Sequence, residues 1–240
     1  MNQEDTYLDL RLTAENQASY FVRGAIQHAL ERVRPRFHGT LLDVGAGLQP
    51  YRQLVTAPPS RVERYVALDL AVNEMAAYRK KEHDLEWDGV TIPLGADAVE
   101  CAMATEVLEH CPAPESVMRE IHRVLKADGI FFFTVPFLWP LHDVPYDEYR
   151  YTPFALERML RAAGFAEVEL KPHGGWDASL ATMVGLWARR RPMSGGKRRI
   201  ISAITKPIVG YLLKHDHVPD LRSAPMITGI SGVAIKRSTK

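Results

Sequence analysis

Short apolar runs alternate with amphipathic stretches along residues 40–171, and no other feature restricts the fold as much. The runs "TLLDVGAG" (40–47), "RYVALDL" (64–70), "AVECAMATEVLEH" (98–110), "IFFFTV" (130–135) and "FAEVEL" (165–170) read as strands, with a short further strand expected near "KEHDL". "PESVMREIHRVLKADG" (114–129) reads as a helix, with Val117, Ile121, Val124 and Leu125 on one face and Gly129 as its stop. "TPFALERMLRAAG" (152–164) reads as another, with Thr152 as N-cap, Pro153 in the first turn and Gly164 at the end. A helix over 13–33 precedes them, and "MITGISGVAIK" (226–236) is a last strand. A chain that returns so often from helix to strand builds a mainly parallel sheet with helices on both faces.

Composition narrows the class. At 240 residues, 46% of them hydrophobic and 25% charged, the chain suits one domain with additions. A formal net charge of +1 gives no global attraction to nucleic acid or membrane. Two cysteines, Cys101 and Cys111, cannot form a disulfide framework. The start "MNQEDTYLDL" is polar and acidic, unlike a secretion signal, and the longest uncharged run, Gly129 to Leu141, is too short to span a bilayer. A cytoplasmic protein is expected.

Ligands of doubly wound sheets sit beyond the carboxyl ends of the strands. The stretches 43–50, 69–72, 84–88, 104–111 and 136–151 are therefore where chemistry is expected. "LLDVGAGLQP" places Asp43 at the end of a strand and Gly45 and Gly47 in the turn after it. Asp69 ends the next strand, where a carboxylate can accept from ribose hydroxyls. A dinucleotide site wants a third glycine, and Pro50 stands there instead. A tyrosine four residues before a lysine, as hydride-transferring short-chain dehydrogenases use, is also missing. Nicotinamide chemistry is disfavoured.

"LLDVGAG", then "ALDL", then "HDLEWDGVTIPLGADAVECAMATEVLEHCPAPESVMREIHRVLKADGIFFFTVP" resembles the class I S-adenosylmethionine-dependent methyltransferases, over residues 40–171. It is most similar to their bacterial small-molecule group, which includes the quinone-biosynthesis type. The resemblance implies a Rossmann-like, doubly wound α/β fold with a mainly parallel seven-stranded sheet, N-terminal helices and a helical insertion before the last strand. The expected organisation is a single domain, with a cap (1–39), a cofactor-binding core (40–171), an insertion (172–224), and a last strand with tail (225–240). S-adenosyl-L-methionine is the implied cofactor. Asp43 would orient its amino group, with Gly45 and Gly47 letting backbone pass beside it. Asp69 would take the ribose hydroxyls, Leu70 would pack on adenine, and Asp84 with the Leu85 backbone would meet the adenine amine. Thr105 and Glu106 would face the methionine end and the acceptor. One departure stands out: Gln49-Pro50-Tyr51 replaces a glycine that the family often carries, so the following helix is expected to be rebuilt.

"LWPLHDVPYDEYRYTP" (138–153) follows the most apolar strand and crowds aromatic and ionisable groups into sixteen residues. His142 is a candidate general base, with Asp143 or Asp147 fixing its tautomer. Tyr146, Tyr149 and Tyr151 can wall an acceptor pocket, and Arg150 has a two-pronged fork for an anionic group on the acceptor. The same residues could instead only brace the helix that starts at Thr152. The acceptor is expected to be a small molecule, methylated on oxygen rather than on nitrogen or carbon. A non-catalytic cofactor-binding module of the same fold is the alternative.

Six cations fall within residues 189–199, with no acid among them. Ile200, Ile204, Ile208 and Leu212 then recur every four residues, and Pro207 interrupts the pattern. This suits either a lipid-surface contact or a solvated loop followed by a packed helix, and the packed helix is favoured. Nucleic acid is not an expected partner, because the remaining surface is not basic. Glu109 and His110 are expected to cap and orient their loop, and "HDH" (215–217) lacks closed ligand spacing, so no metal site is expected. Nothing in the sequence speaks to oligomeric state.

Overall fold

Seven strands share one sheet: β1 (His38–Val44), β2 (Arg61–Leu70), β3 (Leu85–Trp87), β4 (Val99–Thr105), β5 (Leu125–Pro136), β6 (Glu167–His173) and β7 (Gly229–Ile235). They are seen in a computed structural model that describes residues 11–70, 82–223 and 226–238. Their spatial order is β3-β2-β1-β4-β5-β7-β6. β1 runs parallel to β2 and β4, β2 to β3, and β4 to β5. The helices are α1 (Tyr20–Val33), α2 (Arg52–Thr56), α3 (Pro114–Val124), α4 (Pro153–Ala162), α5 (Trp176–Arg190) and α6 (Gly195–His215). After building outward from β1 to β3, the chain returns to lay β4 on the other side of β1. The carboxyl ends of β1 and β4 are therefore neighbours at the point where strand order reverses, the place where such sheets take ligands.

β5 explains its own sequence. Phe131, Phe132, Phe133 and Val135 are all buried, as a strand covered on both faces requires. Phe132 meets Phe37 edge-on at 6.4 Å, and Phe131 stacks on Phe165 at 5.8 Å. Each such ring contributes roughly 1.5–3 kcal/mol by leaving water. On β7, a side chain at Gly232 would collide with the Phe133 ring, so only glycine lets the two strands close.

Element ends depart from expectation in three places. The first helix begins at Tyr20 rather than residue 13. The helix expected over 114–129 stops at Val124: Leu125 opens β5, and Gly129 lies inside the strand, where a Cβ would sit 2.7 Å from the Lys126 carbonyl. The third strand begins at Leu85, and Lys81 lies outside the described residues. Thr152 caps α4 as expected, its hydroxyl accepting from the Ala155 amide at 3.3 Å.

The chain divides into two compact units, one of residues 29–136, 140–170 and 231–240, the other of 1–28, 137–139 and 171–230. In the second unit α6 is turned over relative to expectation. Ser202, Thr205 and Val209 are buried, while Ile200, Ile204 and Ile208 are exposed. The buried side is chosen by polar and close contacts. Gln17 donates to the Ser202 carbonyl at 3.2 Å, and the Thr205 hydroxyl donates to Gln17 Oε1 at 2.9 Å. On α5, a side chain at Gly185 would strike the Gln17 carbonyl, so the approach admits only small residues. Pro207 lies within α6 without ending it. No helix among the described residues is long and apolar enough to cross a membrane.

Candidate active site

The turn after β1 is left-handed at Gly45 (φ 67°), Gly47 (φ 50°) and Gln49 (φ 54°). The Leu68 carbonyl on β2 accepts from the Gly45 and Ala46 amides at 2.8 and 3.0 Å. A Cβ at Gly45 would press on Val107 at 2.7 Å, whereas one at Gly47 would meet nothing within 4 Å. Open space therefore borders the backbone at Gly47. The Gly47 amide donates to Asp69 Oδ2 at 2.8 Å, and the Leu70 amide donates to Oδ1 at 2.8 Å. Each oxygen keeps acceptor capacity for a second donor. Open backbone beside such a carboxylate has the form and chemistry of a seat for a ribose diol.

Asp43 sits deeper, one residue before the end of β1, and is buried. The Tyr65 hydroxyl donates to its Oδ2 in a short hydrogen bond. Burial pushes the carboxyl up to about 7, against the pull of the Tyr65 bond and with a further push from the Asp69 charge. Register accounts for the pairing: Asp43 lies opposite Ala67 and Leu41 opposite Tyr65, so Asp43 and Tyr65 are diagonal neighbours on one face. Gln49 is buried, donating to the Glu82 carbonyl at 2.8 Å and accepting from Arg52 at 3.0 Å. α2, which follows, is five residues long. Asp84 closes β2 onto β3: its amide donates to the Ala67 carbonyl at 2.9 Å, and its carboxylate accepts from the Ala67 amide at 2.8 Å. Leu85 pairs with Leu68 in that register.

Across the strand reversal, β4 ends at Thr105, and Glu106 follows with φ 55°, a conformation a non-glycine residue rarely holds. Burial raises the Glu106 carboxyl. A single turn, Leu108–His110, then carries Glu109, which is fully buried. Burial, reinforced by Glu106, raises the Glu109 carboxyl well above the carboxylate range. The loop of residues 140–153 is fastened onto this turn. The Glu109 carbonyl accepts from the Glu148 and Tyr149 amides at 2.9 and 3.2 Å. The Tyr151 hydroxyl donates to the Leu108 carbonyl at 2.7 Å, and the Tyr149 hydroxyl to the Pro112 carbonyl at 3.2 Å. The two tyrosine rings stack at 5.5 Å, while Tyr146 is exposed.

Within the loop His142 and Arg150 converge on Asp147, whose side chain is 1% exposed. Arg150 grips it with both prongs, at 2.6 and 2.7 Å, and this holds its carboxyl far below the usual range. His142 approaches the same carboxylate through Nδ1 at 3.0 Å and through its amide at 3.1 Å. A carboxylate only accepts, so the proton of a neutral His142 ring lies on Nδ1 and the lone pair on Nε2. Asp147, one of the two acids expected to fix this tautomer, contacts the ring. The Arg150 fork, expected for an acceptor anion, is engaged by Asp147 instead. Sequence reasoning missed Tyr65 and gave Glu109 and His110 no chemistry. The order "EVLEH" was the available signal for the latter pair.

Residues 42–133 match the methyltransferase domain family. The match spans less than half of the chain. Among solved structures, a SAM-dependent methyltransferase from Thermotoga maritima is similar at 12% identity and a TM-score of 0.59, covering 92% of each chain. One from Archaeoglobus fulgidus has 15% identity and a TM-score of 0.55, covering 88% of this chain and 93% of its own. The cyclase SpnF has 19% identity and a TM-score of 0.54, covering 90% and 82%. At these identities the likeness establishes the fold, that of the class I methyltransferases with a Rossmann-like sheet. No curated protein matches significantly. The domain match marks the chain as an enzyme with S-adenosylmethionine as its cofactor. The open backbone at Gly47 and the Asp69 carboxylate beside it fit that nucleoside.

The buried Asp43 makes stability depend on pH. Its folded pKa of about 7 lies above the ordinary 3.8, so the folded state holds the proton more tightly than the unfolded chain. The stabilisation from that proton is complete below about 3.8 and is lost as pH rises through about 7. Asp43→Asn still accepts from Tyr65 but never ionises. Without cofactor, its melting temperature should exceed the wild type's by a margin that grows from pH 4 to 7 and then levels. A variant less stable than wild type at pH 8 contradicts this assignment.

Proposed function

We propose that the enzyme methylates a hydroxyl group of a small-molecule acceptor, in the manner of the bacterial small-molecule methyltransferases. The observation that carries this reading is His142, fixed by Asp147 through Nδ1 so that its Nε2 lone pair is free to take a proton. S-adenosylmethionine supplies a methyl group on a sulfonium sulfur, which an acceptor oxygen displaces in line. On this reading Asp69 holds the ribose hydroxyls beside Gly45 and Gly47, Leu70 packs on adenine, and Asp84 and Leu85 meet the adenine amine. Asp43 lies behind the methionine amino group, and Thr105 and Glu106 border the methionine end. His142 removes the acceptor's proton as its oxygen bonds to carbon, a step in which a positioned histidine contributes about 10²–10⁴-fold. Tyr146 and Tyr149 wall the acceptor, and Arg150 acts through Asp147 by setting the ring. Two free, buried cysteines suit a reducing cytoplasm.

A second reading keeps the fold and cofactor without methyl transfer, and the likeness to a cyclase favours it. Formation of S-adenosylhomocysteine separates the two. With panels of phenols, sugars and hydroxy acids set against amines, turnover is expected with a hydroxyl acceptor. His142→Ala should lower it by about 10²–10⁴-fold while leaving the affinity for S-adenosylhomocysteine unchanged. Turnover with amines alone would overturn the assignment to oxygen, and bound cofactor without turnover on any acceptor would favour the second reading.

A further inference from the structure

The turn after β4 and the loop after β5 bring Glu109, His110 and His142 together, with one potential ligand atom of each within 4.8 Å of the others. Glu109 is fully buried, and neither of its carboxylate oxygens has a hydrogen-bond partner. The nearest ring nitrogen, His110 Nε2, stands 3.7 Å from Oε1, too far for a hydrogen bond. That ring is committed elsewhere, its Nδ1 lying 3.1 Å from the Tyr146 carbonyl. His142 is committed likewise to Asp147. Both partners can only accept, so both neutral rings carry their proton on Nδ1 and a lone pair on Nε2. A desolvated carboxyl group without a partner and two imidazole lone pairs therefore converge, the rings edge to face at 4.8 Å. Glu106 adds a further acid nearby, and the closest guanidinium, Arg150, is gripped by Asp147. A buried carboxyl is left without a hydrogen-bond partner only at a cost.

We propose that Glu109, His110 and His142 bind a divalent ion of the first transition row. Two imidazoles and one carboxylate suit zinc, manganese or iron better than calcium or magnesium, which favour all-oxygen sites. The outer partners fit as well. Ligating histidines usually donate their other N–H to a carboxylate or a backbone carbonyl, as His142 does to Asp147 and His110 to Tyr146. Ligand atoms about 2.0–2.2 Å from an ion lie roughly 3.3–3.6 Å apart, so binding draws the three side chains closer. Both histidines are partly exposed, which leaves the remaining coordination positions open to water or an acceptor hydroxyl. With an ion bound, His142 would be a ligand instead of the base, and the ion would lower the pKa of a coordinated hydroxyl so that its proton could pass to solvent. Residue spacing alone carried no expectation of a metal here.

Binding is read without any acceptor, so its failure would leave the methyl-transfer reading standing. Protein freed of metal by a chelator should take up one equivalent of zinc(II) or cobalt(II), followed by calorimetry and metal analysis. Glu109→Gln and His142→Ala should each weaken binding by about 100-fold or more, and Asp147→Asn by about 10–100-fold. Metal-free Glu109→Gln should melt no lower than wild type, because a neutral amide of similar shape replaces a buried carboxyl that has no partner to lose; this shows that the variant folds. Absence of stoichiometric uptake, or a folded Glu109→Gln that binds like wild type, overturns the site.

A separate observation concerns α5 and α6. Trp176, Leu180, Met183 and Trp187 recur along one stripe of α5 and are 46–70% exposed. Ile200, Ile204, Ile208 and Tyr211 do the same on α6, at 47–65%. Between the stripes lie Arg189, Arg190, Arg191, Lys197, Arg198 and Arg199, with no acid among residues 189–199. We infer that this helical pair docks on an anionic lipid surface. Tryptophans with an apolar stripe beside clustered cations are the chemistry of an interfacial helix, and the charge complements acidic headgroups. The full chain should co-sediment with phosphatidylglycerol vesicles, less so with phosphatidylcholine and less as salt rises. Trp187→Glu combined with Arg198→Glu should lower that binding at least tenfold without changing the melting temperature. Failure to bind anionic vesicles, or light scattering that shows these stripes buried between two copies, overturns it.

Discussion

The reversal of strand order between β1 and β4 is the constraint from which the site follows. Because β4 returns to the free side of β1, the turn after each strand opens onto one crevice. One turn supplies backbone without side chains, at Gly45 and Gly47. The other supplies acids and an imidazole, at Glu106, Glu109 and His110. On the proposed reading the donor nucleoside lies along the first turn and the acceptor along the second, with Thr105 and Glu106 bordering both. The sheet that fixes them is anchored by β5, whose three consecutive phenylalanines are buried. The site thus inherits the rigidity of the best-packed strand.

Asp147 plays a comparable part on the acceptor side. Long loops leave their ends free unless their backbone groups find partners, and this one is held by the Glu109 carbonyl and two tyrosine hydroxyls. The Arg150 fork then immobilises Asp147, and Asp147 sets the His142 ring. The crowding of charged and aromatic residues in "HDVPYDEYRYTP" is therefore chiefly internal wiring. Most of its charges face one another, and His142 Nε2 is what the wiring leaves over.

Much of the architecture was legible because each signal had one physical meaning. A run such as "IFFFTV" can only be a strand covered on both faces, and Thr152-Pro153 can only open a helix. The placing of Asp43 and Asp69 near the ends of β1 and β2, with Gly45 and Gly47 in the turn between, was legible because an apolar run that ends in acid and glycine marks where a strand gives way to a turn. What escaped required partners that sequence does not print. Tyr65 meets Asp43 through a register between two strands. Glu109 and His110 reach His142, thirty residues on, only through the fold of the loop. The α6 stripe misled for another reason: periodicity finds an apolar face but does not say that it is buried. Here Gln17 and the close approach at Gly185 reserve the interior for serine, threonine and glycine.

The central claim is that the Gly47 turn and Asp69 seat the methyl donor, and calorimetry with S-adenosylhomocysteine tests it most directly. The account predicts binding at micromolar strength or better and hardly any binding of NAD. It further predicts that Asp69→Ala weakens S-adenosylhomocysteine by about 10–150-fold, since a hydrogen bond to a charged group is worth about 1.5–3 kcal/mol. An Asp69→Ala variant that binds like wild type, or equal binding of NAD, would contradict it.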